Sequence, residues 1–170
     1  MTFTQSPSNP NIYQYENTAY FLINKKGFGN YYDNKNFHFT TEIKARFVYR
    51  GGEVFTFTGD DDLWVFIGNF KFRNSISHIL LDGKLVIDLG GVHAALSSTW
   101  NADTANLTIG RSYPFTIFHA ERHTTESNFK AYTSLDLYCP WYDFCGVCQG
   151  DGKRYLIQKS NLIKKLLYLL

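Results

Sequence analysis

Hydrophobic and polar residues alternate along most of the chain, which is the period of a β-strand with one buried face. The alternation is cleanest over residues 37–49, and a Gly51-Gly52 turn followed by residues 53–58 predicts a hairpin. Further strands are predicted at residues 63–67, 84–89, 113–120 and 129–137, with residues 90–106 mostly loop because they are rich in Gly, Ser and Asn. The fold class is therefore all-β, an antiparallel sandwich or barrel.

Three segments depart from this pattern. Residues 1–20 are polar with two prolines and are expected to form a loose lead-in. Residues 68–82 separate two strands that would otherwise make a tight hairpin, and residues 153–170 are basic and leucine-rich. The leucines of the last segment suit one face of a membrane-surface helix, but the preferred interpretation is that neither segment belongs to the design of the domain.

Composition and charge narrow the class of protein. Aromatic residues make up 18% of the chain and Met occurs once, a balance that favours strands. Five of the 17 basic residues lie in 153–170, which leaves 12 basic against 15 acidic residues in 1–152. Such a body has no basic face for nucleic acid. The sequence also shows no transmembrane span and no signal-peptide pattern in its first residues.

Three consecutive carboxylates, Asp60-Asp61-Asp62, interrupt an otherwise strand-like run. Asp is depleted in strands, and like charges close together repel, so something must compensate them. One possibility is an acidic turn stabilised by caps and solvent, and the other is a hard cation such as calcium, which prefers oxygen ligands. Neighbouring side chains of a strand point to opposite faces, so two of these carboxylates reach one ion only if the backbone leaves the extended conformation.

Cysteines and a glycosylation sequon are the next candidates. Cys139, Cys145 and Cys148 cluster near the end, and an odd cluster predicts a disulfide-bonded repeat that is cut short. Zinc or redox use of Cys145-x-x-Cys148 is the alternative, although a second pair is absent from the sequence. Asn106-Leu107-Thr108 is an N-glycosylation sequon that matters only if the chain is secreted.

Histidines and tryptophans offer weaker candidates. His93, His119 and His123 lie in a part of the chain predicted to be β rather than helical, so packing or hydrogen bonding is expected of them before zinc binding. His93 and Trp100 are retained as weak ligand contacts, Trp100 by stacking on a sugar ring, whereas Trp64 lies within a strand and suits the core. The sequence shows no nucleophile-elbow spacing and no convergent acid–base set, so an enzyme is not expected.

Several blocks of sequence resemble a known family. They are residues 21–30, GGEVFTFTGDDDLWVFI at 51–67, GKLVIDLGGVH at 83–93 and ERHTTESNF at 121–129. Together they resemble the fibro-slime form of the PA14 domain found in prespore-cell-inducing-factor-like proteins, over residues 21–138, while residues 139–152 resemble the start of the Cys-rich repeats that follow it. The resemblance implies a PA14-type β-sandwich, a secreted or cell-surface setting, and carbohydrate or glycoprotein binding in some members.

The resemblance also implies a calcium site. In lectin-type PA14 domains two adjacent Asp residues joined by a cis peptide bind calcium, and the matching pair here is Asp60 and Asp61, with Asp62 secondary. A third ligand comes from the loop after the strand at 113–120, which places Glu121 there together with backbone carbonyls of His123 and Thr125. Sugar-binding members more often have an amide at the position of Glu121, so this substitution bears on sugar affinity.

The family also runs from the strand at 63–67 almost directly into the one at 84–89, so residues 68–82 are an atypical insertion. One hypothesis explains both this insertion and residues 153–170, namely that both are translated intron or misjoined sequence. The leading hypothesis is a non-catalytic extracellular recognition domain that binds glycans or a glycoprotein through calcium, in cell–cell signalling or differentiation. The alternative is a structural or protein-interaction module of a matrix or surface protein without metal, as a truncated or mis-spliced product.

Overall fold

A computed structural model describes residues 1–31, 33–68, 70–72, 79–81, 83–122, 126–144 and 146–150, with the backbone alone for 70–72 and 79–81. Within these residues the fold is built from antiparallel strands and one short 3-10 helix at Ala102–Ala105, which confirms the all-β prediction. The strands are β1 (Thr4–Gln5), β2 (Tyr13–Asn17), β3 (Phe39–Val48), β4 (Val54–Gly59), β5 (Asp62–Ile67), β6 (Phe70–Phe72), β7 (Ile79–Leu81), β8 (Lys84–Leu89), β9 (Leu96–Asn101), β10 (Ser112–Glu121) and β11 (Phe129–Thr133).

Two sheets form the body of the domain. One has the strand order β1-β2-β11-β4-β9, and the other has the order β3-β10-β5-β8. The alternation seen in the sequence points Phe55 and Phe57 of β4 and Phe115 and Ile117 of β10 into a shared core, where all four are buried. Burying each such side chain contributes about 1.5–3 kcal/mol, so the sandwich is the arrangement that hides both apolar faces.

The predicted hairpin of β3 and β4 is wrong, because these strands lie in different sheets. Gly51 (φ 99°) and Gly52 (φ 78°) carry the chain across the end of the sandwich in a conformation that favours glycine. Their N–H groups donate to carboxylates, Gly51 to Glu53 at 2.8 Å and Gly52 to Asp103 at 2.7 Å. A sequence with two strands and a glycine pair between them does not distinguish a hairpin from such a crossing.

Two segments expected to be irregular carry strands. In the lead-in, β2 pairs with β11 along its whole length, and Tyr20 is buried in the core, so residues 1–20 are not loose. In residues 90–106, β9 pairs with β4 and forms an edge of its sheet. Its outward side chains are the hydroxyls of Ser97 and Thr99, which hydrogen bond to Thr58 and Thr56. A hydroxyl-rich edge strand shows little of the apolar alternation on which the prediction relied.

The insertion at 68–82 continues outward from the hairpin of β5 and β8. The last pair of that hairpin joins Ile67 to Lys84, and β6 then pairs with β7 as a separate two-stranded ribbon. Length added at a hairpin tip costs little in loop-closure free energy, so β5 and β8 still pair as neighbours, with one register shift between Val65 and Phe66. Residues 69, 73–78 and 82 of the insertion and all of 153–170 lie outside the described residues, so the origin of both segments in misjoined sequence stays a prediction.

The start of the Cys-rich segment contains a disulfide bond between Cys139 and Cys148. This confirms the disulfide interpretation for that pair, whereas Cys145 lies outside the described residues. Disulfides persist in oxidising compartments, which agrees with an extracellular setting. In the part of the chain that the structure describes, no helix is long and apolar enough to cross a membrane.

Candidate functional site

The acidic triplet forms the connection between β4 and β5, at the point where the chain passes from one sheet to the other. Asp60, Asp61 and Asp62 are 4%, 0% and 4% exposed. An acidic turn stabilised by solvent is therefore not what the structure shows. Stabilisation of the turn by hydrogen bonds is still possible. Three carboxylates buried side by side carry a large desolvation cost and repel one another, so they must be compensated from within the protein or by a bound cation.

Backbone N–H groups from three other places in the chain converge on the triplet. Oδ2 of Asp60 accepts from the backbone N of Asn128 and from its side-chain Nδ2, both at 2.7 Å. Oδ2 of Asp61 accepts from the backbone N of Arg122 at 2.6 Å, and Oδ1 of Asp62 accepts from the backbone N of Gly91 at 2.6 Å. Hydrogen bonds to charged acceptors are the stronger kind, so the triplet ties the loops after β8 and β10 to the start of β5.

Asp62 has a counter-charge of its own. The guanidinium of Arg122 contacts both oxygens of this carboxylate, with Nε 2.5 Å from Oδ2 and Nη2 2.9 Å from Oδ1. Such a two-point contact is the geometry in which arginine pairs best with a carboxylate. Arg122 is 48% exposed along its side chain, whereas that of Asp62 is 6% exposed, so the pair sits at the mouth of the buried triplet. Asp62 is consequently compensated within the protein.

The backbone of the triplet departs from extended geometry, but not through a cis peptide. The described residues contain no cis peptide bond, so the expected cis link between Asp60 and Asp61 is not found. Asp61 instead has φ 57°, in the left-handed region, which Asp tolerates better than most residues. Its N–H donates to the carbonyl oxygen of His93 at 3.3 Å. This turn removes the strict alternation of an extended strand at the triplet.

His119 lies on the inner face of β10, beside an aromatic cluster. Its ring centroid is 5.4 Å from that of Tyr20 and 5.6 Å from that of Phe129, and neither ring nitrogen has a hydrogen-bond partner among the described residues. Burial lowers the pKa of His119 to about 4, although the charges of Asp61, Asp62 and Asp60 act in the opposite direction. The imidazole is therefore neutral at physiological pH and adds no positive charge to the triplet.

The burial of His119 predicts a pH dependence of stability. As the pH falls below the ordinary value of 6.5, the unfolded state binds a proton at His119 that the folded state resists until about pH 4. This contribution is fully present above about pH 6.5 and is lost across that window, by roughly 3 kcal/mol in total. Urea unfolding in chelator at a series of pH values should show a steeper slope for the native chain than for His119→Phe. Equal slopes would contradict the assignment.

Glu121 ends β10 and is buried, next in sequence to the Arg122 whose backbone N binds Asp61. The two predicted carbonyl ligands, those of His123 and Thr125, lie outside the described residues. Among the described residues, no three side chains of His, Cys, Asp or Glu form a group that could hold a metal ion by themselves. Calcium binding by Asp60, Asp61 and Glu121 thus stays a prediction, and it requires further oxygen ligands.

The test of whether calcium suits this site rests on Asp60. Asp60 is only 4% exposed, and its Oδ1 is buried and has no hydrogen-bond partner among the described residues. Leaving a buried carboxylate oxygen unsatisfied costs more than leaving a neutral acceptor unsatisfied. A hard cation that takes oxygen ligands would remove this cost, so the donor chemistry fits calcium.

Of the weaker candidate residues, His93 lies beside the triplet, whereas Trp100 and Asn106 do not. Trp100 is 4% exposed and packs against Phe47 in the core, so its ring is not available to stack on a sugar and that prediction is wrong. His93 lies beside the triplet, but both ring nitrogens face backbone carbonyls, those of Ala94 at 2.9 Å and Leu89 at 3.1 Å. Asn106 is exposed, just after the 3-10 helix.

Sequence reasoning missed Arg122 and Asn128, the residues that compensate the triplet through the contacts described above. Both fall within the sequence block at 121–129 that carried the family resemblance. An arginine directly after the buried end of a strand is the only sequence signal of a counter-charge for Asp62. The contact of Asn128 depends on the register of β11 against β4, in which Phe129 pairs with Gly59.

Comparison with known proteins decides the family. The PA14 domain matches residues 2–151. The chain belongs to the PA14 domain family. It is 44% identical to protein psiQ, 46% to protein psiR and 42% to protein psiC, all of Dictyostelium discoideum, over alignments that are 174, 162 and 160 positions long with gaps included. No solved structure matches this chain.

These relatives confirm the resemblance to prespore-cell-inducing-factor-like proteins. The alignments cover 95%, 88% and 89% of this PA14 chain but only 16%, 15% and 28% of psiQ, psiR and psiC. The chain therefore spans less than a third of each of these relatives. PA14 domains are generally non-catalytic binding modules, so the family supports an extracellular recognition role.

Proposed function

We propose that this PA14 domain is an extracellular recognition module that binds glycans or a glycoprotein with the help of a calcium ion at Asp60 and Asp61. The observation that carries the proposal is the buried Oδ1 of Asp60, which has no hydrogen-bond partner among the described residues. Hydrogen bonds to its other oxygen, from Asn128, fix the orientation of the carboxylate. The unsatisfied oxygen is therefore held in place rather than free to turn toward solvent.

The charges of the triplet support a divalent ion. Asp62 is neutralised by Arg122, and the imidazole of His119 is neutral because its pKa is lowered to about 4. Asp60 and Asp61 are buried beside this pair, and a divalent ion bound between their two carboxylates would offset the repulsion of like charges. This division makes Asp62 the partner of Arg122 and leaves Asp60 and Asp61 as the side-chain ligands.

The rest of the ligand set would come from oxygens near the end of β10. Calcium takes six to eight oxygen ligands, many of them backbone carbonyls and water. Glu121 is the buried carboxylate in this region, and the carbonyls of His123 and Thr125 are the predicted backbone ligands. When bound, calcium would supply open coordination positions for paired hydroxyl groups of a sugar. The chain's own residues would orient the two Asp carboxylates and exclude water beneath them.

A second candidate function is a structural or protein-interaction module without metal. The ion pair between Arg122 and Asp62 favours it, because this arginine already compensates one carboxylate and lies at the mouth of the triplet. The two candidates differ in their response to chelator, since hydrogen bonds and ion pairs do not depend on calcium.

A glycan array separates the candidates. The full chain is labelled and applied with calcium, with calcium chelator, and with calcium restored after chelation. Calcium-dependent recognition predicts binding to a subset of glycans that chelator abolishes and calcium restores. Binding that ignores chelator would support recognition without metal, and no binding in any arm would favour the structural module. A variant with both Asp60→Asn and Asp61→Asn should behave in calcium as the native chain does in chelator.

A further inference from the structure

We infer that Asn106 is the attachment site of an N-linked glycan in the secreted protein. Asn106-Leu107-Thr108 is the only Asn-x-Ser/Thr sequon with a non-proline middle residue in the 170 residues. The inference shares the extracellular setting of the proposed function but does not depend on the calcium site. The disulfide between Cys139 and Cys148 is an independent sign of the oxidising compartment in which such glycans are added.

The local geometry presents the sequon on the surface. Asn106 is the C-cap of the 3-10 helix, with φ 54° and ψ 44°, a left-handed conformation that asparagine tolerates. Asn106 and Thr108 are both exposed, whereas Leu107 between them packs against the core. Leu107 thus anchors the segment while the acceptor amide and the sequon hydroxyl stay on the outside. A bulky glycan at Asn106 would meet no buried surface.

The sequon and the acidic triplet lie at opposite ends of the sandwich. The backbone N of Gly110 donates to the carbonyl of Tyr49 at 2.7 Å, which places the segment after the sequon beside the start of β10. The triplet lies by the other end of β10, where Arg122 contacts Asp61 and Asp62. Ten residues of extended strand separate the two ends, a distance of roughly 30 Å. A glycan at Asn106 therefore leaves the proposed binding site open.

The glycan would also cover an exposed apolar side chain. Ile109 is 71% exposed, three residues after Asn106 in the same loop. Glycans are bulky and solubilising, so one attached at Asn106 would shield Ile109 from other molecules. The edge strand β9 ends just before the 3-10 helix, and the glycan would stand near this unpaired edge as well.

The test is expression of the full chain behind a secretion leader in a eukaryotic host, followed by intact mass measurement of the secreted protein before and after peptide-N-glycosidase treatment. The inference predicts one downward mass shift and conversion of residue 106 to Asp. Thr108→Ser keeps the sequon and should keep the shift, whereas Thr108→Ala should lose it. Asn106→Asp, which also tolerates the left-handed conformation, should lose it too.

Thr108→Ser and Thr108→Ala differ by one hydroxyl at an exposed position, and both keep the backbone N of residue 108 that donates to Tyr113. Equal melting temperatures of the two variants, each produced in a host that adds no N-glycans, would show that folding is not the cause of a difference. A secreted native chain with no mass shift would overturn the inference, as would a shift that survives in Asn106→Asp. Calcium titration of the same samples is independent, so a failure here is distinguishable from a failure of the calcium site.

Discussion

Replacing Gly59 with alanine is expected to destabilise the domain by about 3 kcal/mol, the upper part of the range for overpacking a core. A Cβ at Gly59 would lie 2.5 Å from the backbone oxygen of Asn128 and 2.5 Å from the ring of Phe57. The backbone cannot yield without shifting Asn128, which orients Asp60, and Phe57 is held in the core. The substitution should therefore damage the sandwich and the acidic site together. Chemical denaturation of the native and variant chains measures the loss.

Thr58→Ala is the matched control for this variant. Thr58 precedes Gly59 on the outer face of β4, where its hydroxyl donates to that of Ser97 at 2.9 Å. Losing one exposed hydrogen bond should cost less than about 1 kcal/mol. If Gly59→Ala were as mild as Thr58→Ala, the close approach of the triplet's turn to Asn128 would be refuted.

The double substitution Asp60→Asn and Asp61→Asn is expected to weaken calcium binding by about 100-fold or more, since calcium affinity follows the number of charged ligands. In chelator the same variant should unfold at an equal or higher denaturant concentration, because two buried like charges are removed. An amide oxygen can still accept the hydrogen bonds from Asn128 and from the backbone N of Arg122. Calorimetric titration with calcium gives the affinity, and urea unfolding gives the stability.

The Asp62→Asn variant tests whether calcium binding depends on Asp60 and Asp61 but not on the neighbouring Asp62. Because Arg122 is the partner of Asp62, this variant should retain calcium binding while losing the ion pair at the mouth of the site. The exposed Asp136, paired with Arg50, is the matched surface control, and Asp136→Asn should change neither the calcium affinity nor the stability in urea.

If the double Asp60→Asn and Asp61→Asn variant gave the native heat of calcium binding, Asp60 and Asp61 would not be ligands.

The sequence predicts individual strands where a local pattern of residues determines them, but it does not predict which strands pair. The long strands β3 and β10 follow from strict alternation, since one face of each is buried. The pairing of β3 with β10 rather than β4 does not follow, because the glycine pair at 51–52 permits a crossing between sheets. The edge strand β9 was missed because its outward hydroxyls and single buried tryptophan do not alternate in hydropathy.

The candidate site shows the same division. The conflict between three adjacent carboxylates and a strand-forming neighbourhood is visible in the sequence and identified the triplet. The compensation of that conflict is not visible, because Arg122 and Asn128 approach through sheet register, some 60 residues along the chain. The two tryptophans have the opposite environments from those predicted, since Trp64 was expected in the core and Trp100 at the surface. Trp100 faces the core from the edge strand, whereas Trp64 is half-buried on the outer face of β5.

The most direct test of the calcium site is the thermal unfolding temperature of the native chain in calcium and in chelator. A ligand bound only by the folded state at 100 times its dissociation constant stabilises it by about 2.7 kcal/mol. For a domain of this size that corresponds to a rise of roughly 5–10 °C. Calcium binding at Asp60 and Asp61 predicts such a rise in calcium, reversed by chelator and absent from the double Asp60→Asn and Asp61→Asn variant. An identical unfolding temperature in saturating calcium and in chelator would contradict it.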